Sequence, residues 1–201
     1  MTNIFRVIHD IYDRKKHLKE SVIIGVNGSD CSGKTYFSRS LKEYFIDIGV
    51  SSVVVDIDEF NVKAVEDDTY ESFSKKQFTK QHLETYYTQI IDFKLAHKKI
   101  LELRDNYSVL IIEGIFIYKK ELVKLFDFKV FLETDYPIAI ERFRSRQKRN
   151  KNSRQIGIFE NIWLPSHKRY LKEVGPENLS DLLIDNSDYS KPEIIGSSST
   201  N

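Results

Sequence analysis

Gly28-Ser29-Asp30-Cys31-Ser32-Gly33-Lys34-Thr35 is the stretch from which the fold can be read. Its spacing, G-x-x-x-x-G-K-T, is that of the Walker A phosphate loop. Gly28 and Gly33 let the backbone curl so that successive N–H groups point inward and form an anion nest. A lysine at 34 then reaches β- and γ-phosphates, and the hydroxyl of Thr35 ligates Mg²⁺. All eight residues, Gly28, Ser29, Asp30, Cys31, Ser32, Gly33, Lys34 and Thr35, are thus candidates for nucleotide binding.

The flanks agree with the loop. Val22-Ile23-Ile24-Gly25-Val26 is a short apolar run of strand type immediately before it. After it, Phe37, Leu41, Phe45 and Ile48 recur at i, i+4, i+8 and i+11, a helix face that Gly49 ends. Strand, glycine loop and helix in that order set a helix N-terminus under the phosphates.

Further out, 201 residues with 40% hydrophobic and 30% charged side chains predict one globular domain with a full core, 1–201. A net charge of +1 makes no global case for nucleic acid or a membrane surface, so neither is expected as a partner. The lone cysteine, Cys31, excludes an intrachain disulfide and suits a reducing, cytoplasmic setting. It is either a small residue at a variable loop position or a redox-sensitive thiol. The charged N-terminus is not of signal-peptide type, and no apolar run is long enough to span a bilayer. The five histidines are scattered without ligand spacing, which predicts no structural metal site. A homo-oligomer is left open.

Ile4, Val7, Ile8 and Ile11 predict a helix over 3–18, ahead of the first strand, with a basic end over 14–19. The β-branched run 51–57 reads as the second strand. Residues 59–78 are polar and aromatic without clear period. One helix is predicted over 79–101, with Leu83, Tyr86 or Tyr87, Ile90, Ile91 and Leu95 on its buried side. Strands follow at 109–112 and 128–132, then a helix opened by Pro137, then a helix over 159–173. Leu182-Leu183-Ile184 reads as the last strand, and 187–201 as a loosely held tail. Nearly all-apolar strands alternating with helices imply an α/β fold: a parallel sheet covered on both faces.

Three further features suggest chemistry. Asp58 lies at the exit of the second strand, where ligands of open α/β sheets sit, and a carboxylate there can accept a proton from an attacking hydroxyl. Asp56 alternates with it and competes for that role, and Asp58 is alternatively a helix cap. Glu113 ends the 109–112 strand in the position of a Walker-B acid, which holds Mg²⁺ directly or through water. Finally, seven of the thirteen residues 142–154 are basic and none acidic. Arg142, Arg146 and Arg149 share a helical face there. This is a lid over 142–160 bringing arginine to a phosphoryl group, an RNA-binding patch or a solvated face.

Together these motifs resemble the uridine kinase family of P-loop kinases, grouped with phosphoribulokinase and bacterial pantothenate kinase. The resemblance rests on Gly28 to Thr35, Asp58-Glu59-Phe60, Ile112-Glu113-Gly114, Glu133-Thr134-Asp135 leading into Arg142 and Arg146, and Ile184-Asp185-Asn186. It implies a P-loop NTPase fold with a five-stranded parallel sheet flanked by helices, and a small basic helical lid. It also implies transfer of the γ-phosphate of ATP, with Mg²⁺, to the 5′-hydroxyl of a nucleoside such as uridine or cytidine. In that mapping Lys34, Asp58, Arg142 and Arg146 are catalytic, with Asp58 the general base, while Thr35 and Glu113 serve the metal. The chain departs from the pattern at Glu141, where the family has arginine, and at Gln147, where it has Asp. It departs again over 61–68, where the family faces its acceptor with basic and tyrosine residues. A kinase for pantothenate or a sugar, and a non-catalytic ATP sensor, are the alternatives.

Overall fold

The strand Val22–Gly28 (β1) is buried along its whole length, as a run flanked by strands on both sides must be. A computed structural model describes residues 1–18, 20–150 and 156–197. Six strands form one sheet in the order β2-β3-β1-β4-β5-β6, with β2 Ser52–Asp56, β3 Val109–Gly114, β4 Phe128–Glu133, β5 Leu182–Asp185 and β6 Glu193–Ser197. The first five pair in parallel, as expected.

The sixth strand, β6, is an addition: it runs antiparallel to β5. Its Ile194 and Ile195 are exposed, so it lacks the apolar contrast by which the other strands are read. Residues 193–197 of the tail therefore carry regular structure through backbone pairing, which leaves little trace in sequence.

Alternate residues of the strands enter two cores. Ile23, Leu110 and Ile112 face one layer, and Val22, Ile24, Val109 and Ile111 the other. On the second face lie α1 (Thr2–Lys15) and α2 (Lys34–Asp47). Ile4, Ile8 and Ile11 of the predicted stripe are buried, whereas Val7 is exposed. The helix stops at Lys15, short of residue 18, and Lys19 lies outside the described residues. Likewise Phe37, Leu41 and Phe45 of α2 are buried and Ile48 is not.

The long helix predicted over 79–101 is two: α4 (Lys80–Gln89) and α5 (Phe93–Leu103). The chain leaves the helix because it pairs instead: Asn61 bridges Ile91, the Val62 N–H donates to the Ile90 carbonyl, and the Asp92 N–H donates to the Phe60 carbonyl. The Asp92 carboxylate then accepts the Leu95 N–H and starts a new helix. The phase shifts, so Leu95 is exposed while Ala96 and Ile100 are buried. A further helix, α3 (Lys63–Ser74), fills the stretch that showed no period; the residues it buries fully are Thr69 and Ser72, which carry no apolar signal.

After β4 comes α6 (Tyr136–Asn150), with Pro137 in its first turn. The lid expectation over 142–160 falls partly on residues 151–155, outside those described. The chain continues as α7 (Ile156–Ile158), a π-helical turn (Phe159–Trp163) and α8 (Leu164–Val174), then the short α9 (Pro176–Leu179). Phe143 on α6 packs on Phe159 at 5.5 Å and on Trp163 at 5.4 Å, joining the two arms of this region. Among the described residues no helix is long and apolar enough to cross a membrane.

Candidate active site

Because β1 is paired with β3 on one side and β4 on the other, the chain leaves its C-terminal end at the point where connections diverge, the usual ligand crevice of such sheets. The phosphate loop sits there. Gly33 adopts φ +95°, and a Cβ on it would meet Asn186 Nδ2 at 2.5 Å and Tyr189 at 2.6 Å, so only glycine fits. Cys31 also takes a left-handed conformation, φ 64°, without being glycine. Its thiol is pushed up by burial and is thus held in the unreactive protonated form. The Lys34 ammonium is nearly buried and donates to the Ser29 carbonyl at 2.8 Å, closing the loop on itself.

Asp30, Asp58 and Glu113 feel the charge of this lysine. Asp56 and Glu113 are register partners at the ends of β2 and β3. Glu113 is buried, and its carboxyl is raised by desolvation, with Lys34 acting in the opposite sense. The Thr35 hydroxyl is its hydrogen-bonding neighbour, and Oε1 has no hydrogen-bond partner among the described residues. A buried carboxylate oxygen beside a threonine hydroxyl is a hard-oxygen set that fits Mg²⁺.

Asp58 stands just past the strand, in a 3-10 turn over Ile57–Phe60. Gly114 makes that turn possible, since any Cβ there would run into Ile57. The cap of the turn is Asp56, whose Oδ1 accepts the Asp58 N–H at 3.0 Å. Asp56 is therefore engaged, while Asp58 projects to the rim of the cleft. Desolvation there, followed by the Asp30 and Asp56 carboxylates, pushes Asp58 up to about 7, against the pull of Lys34.

The opposite wall is α6 together with the segment after β5. The Arg142 guanidinium donates to the carbonyls of Asn186 at 2.7 Å and Ser187 at 2.8 Å, and approaches that of Cys31 at 3.4 Å. It also stacks on Tyr189, 3.5 Å from the ring centroid. Asn186 in turn donates to the Ser32 carbonyl at 2.7 Å. One turn on, Arg146 is exposed to the cleft.

These groups enclose a cleft of about 800 Å³ whose lining includes Asp30, Lys34, Thr35, Asp58, Glu113, Arg142 and Arg146. Cys31 and Gly33 line it too. Gly28, Ser29 and Ser32 do not; they are buried behind the loop, where Asn27 bonds both the Gly28 N–H and the Tyr170 hydroxyl. A second cavity of about 290 Å³ opens beyond Asp58 and shares Asp30, Asp58 and Arg146 with the first. Arg149, on the arginine face read from sequence, also lines the larger cleft, as do Tyr189, Tyr36 and Lys148, which were not singled out from sequence as site residues. Tyr189 lies in the stretch read as a loose tail, where no period or motif marks it.

The family profile described as an AAA domain matches residues 24–162. A uridine kinase from Listeria monocytogenes serotype 4a is 25% identical over 186 residues, covering 83% of this chain and 87% of that protein. A uridine kinase from Clostridium tetani is 24% identical over 194 residues, covering 88% and 92%. Among solved structures, a possible uridine kinase from Bacillus stearothermophilus superposes with a TM-score of 0.60 at 17% identity, over 88% of this chain and 98% of that one. A putative fructose transport system kinase from Silicibacter gives 0.55 at 15% identity, over 77% and 85%. At these identities the structural likeness speaks for the fold.

Proposed function

Because the chain belongs to the AAA domain family, as a P-loop kinase domain, we propose that it transfers the γ-phosphate of ATP to the hydroxyl of a small molecule, preferably the 5′-hydroxyl of uridine or cytidine. The observation that carries this reading is the meeting of two cavities at Asp58, one built on the phosphate loop and one beyond it.

In this reading the loop N–H groups and Lys34 bind the triphosphate, Lys34 exchanging its bond to the Ser29 carbonyl for a phosphate oxygen. Thr35 and Glu113 would hold Mg²⁺, which supplies positive charge to the phosphates when bound. Asp58 accepts the proton of the acceptor hydroxyl. The freed oxygen forms the new bond to the γ-phosphorus, the bond to the β–γ bridging oxygen breaks, and ADP leaves. Arg146, free of carbonyl partners among the described residues, offsets charge on the transferring group. Arg142, already fastened to three carbonyls, adds its charge while holding α6 against the loop. A cytoplasmic setting suits this chemistry and the lone cysteine.

Asp58→Asn tests the assignment. Turnover is expected to fall by at least ~10²-fold, the size of a general-base contribution, with ATP affinity held within a few-fold. Unchanged turnover would remove Asp58 from the reaction.

A further inference from the structure

The second cavity has a chemistry of its own. Past Asp58 it is walled by Asn61 and Glu66, by Tyr86 and Trp163, and by Arg146 and Gln147 on α6. Asn61 Oδ1 and Gln147 Oε1 are both buried and have no hydrogen-bond partner among the described residues. Buried amide oxygens left without a donor are costly unless a ligand satisfies them. These two come from different elements, the segment after the 3-10 turn and the lid helix, and converge on one space. Around them, among the described residues, Asp30, Asp58 and Glu66 outnumber the cation Arg146. The Tyr86 phenol, buried amid those carboxylates, stays protonated. Such a space accepts hydrogen bonds and repels anions.

Resting on the kinase reading above, we propose that the acceptor is uncharged or cationic and rich in hydrogen-bond donors, held away from its reacting hydroxyl by Asn61, Gln147 and Glu66. A nucleoside or an amino-bearing polyol meets those terms. A sugar phosphate or a carboxylate such as pantothenate does not, because its charge would be set against Glu66 and Asp58. Gln147 contributes to this selectivity: an Asp in its place would add a further negative charge to the lid wall, whereas the amide leaves recognition neutral on that side.

The test is ADP release by the full chain with ATP and Mg²⁺, using matched acceptors: cytidine against cytidine 3′-monophosphate, and glucosamine against glucosamine 6-phosphate, with pantothenate as a further anion. The uncharged or cationic member of each pair is expected to win by at least ~100-fold in kcat/KM. Glu66→Gln is expected to narrow that gap and raise KM for the favoured acceptor about tenfold, with kcat within a few-fold. Gln147→Leu, on the lid helix, is expected to raise the same KM and serves if Glu66→Gln does not fold. Anions used as well as their neutral partners would overturn the selectivity and leave the kinase standing. So would unchanged KM and discrimination in both variants. ATP binding with no acceptor stimulating ADP release would overturn the kinase reading, and this inference with it.

Discussion

Asp56 and Asp58 show how two carboxylates two residues apart acquire different duties. The backbone leaves the extended conformation after Asp56, so the alternation that would have put both on one face ends there. Asp56 spends its oxygen on the Asp58 N–H, and Asp58 is carried into the cleft. The elevated value of Asp58, about 7, then has a kinetic consequence. A base must be ionised, so kcat/KM is expected to rise with pH, with unit slope below about 7, and to level above it. It has a thermodynamic one too. Between the ordinary carboxylate range and about 7 the folded chain holds a proton that the unfolded chain has lost, so this group's contribution to stability declines as pH rises through that window. Asp58→Asn should therefore raise the melting temperature at pH 8 and change it little at pH 4. A flat pH–rate profile below 7 would contradict the base assignment. From sequence alone the pair could not be resolved, because residues two apart share a strand face and only the turn that begins after Asp56 separates them.

At the scale of elements, the parallel strands were legible as short apolar, β-branched runs and the helix after the phosphate loop as a stripe, of which Phe37, Leu41 and Phe45 are buried. The break between α4 and α5 was not, since it depends on Asn61 and Val62 pairing with Ile90 and Ile91 some thirty residues on. Nor was α3, whose fully buried residues are hydroxyl-bearing. Of the candidate site, the loop, Asp58, Glu113 and the arginines of α6 stood out by residue type and spacing. The clamp from the segment after β5 did not, although Asn186 belongs to a stretch that carries the resemblance, for Asn186 and Tyr189 act through backbone carbonyls and ring stacking. That clamp makes Gly33 a sharp probe. In Gly33→Ala the new methyl must displace Asn186 and Tyr189, and the residue must also keep a left-handed backbone. The cost is expected to be about 1–3 kcal/mol, a fall of several degrees in melting temperature. Affinity for a non-hydrolysable ATP analogue should drop more than ~10-fold, since the nest itself is deformed. Wild-type affinity in this variant would show that the loop does not need the geometry described.

Across the whole molecule, the divergence of connections at β1 sets a phosphate cradle in the middle of the sheet edge, and α6 closes over it from the β4 side. The second cavity is walled by the segment after β2, by α3 and α4, and by α6, so in the proposed reaction the two reactants enter from different sides and meet between Lys34, Asp58 and Arg146. The proposed function requires phosphate to pass from one cavity to the other. Phosphorus NMR of the full chain turning over ATP, Mg²⁺ and cytidine or uridine reads that passage directly. A phosphate monoester signal should grow in step with ADP, one for one. ATP consumed only to inorganic phosphate, with no ester formed from either nucleoside or from any other hydroxyl compound supplied, would contradict it.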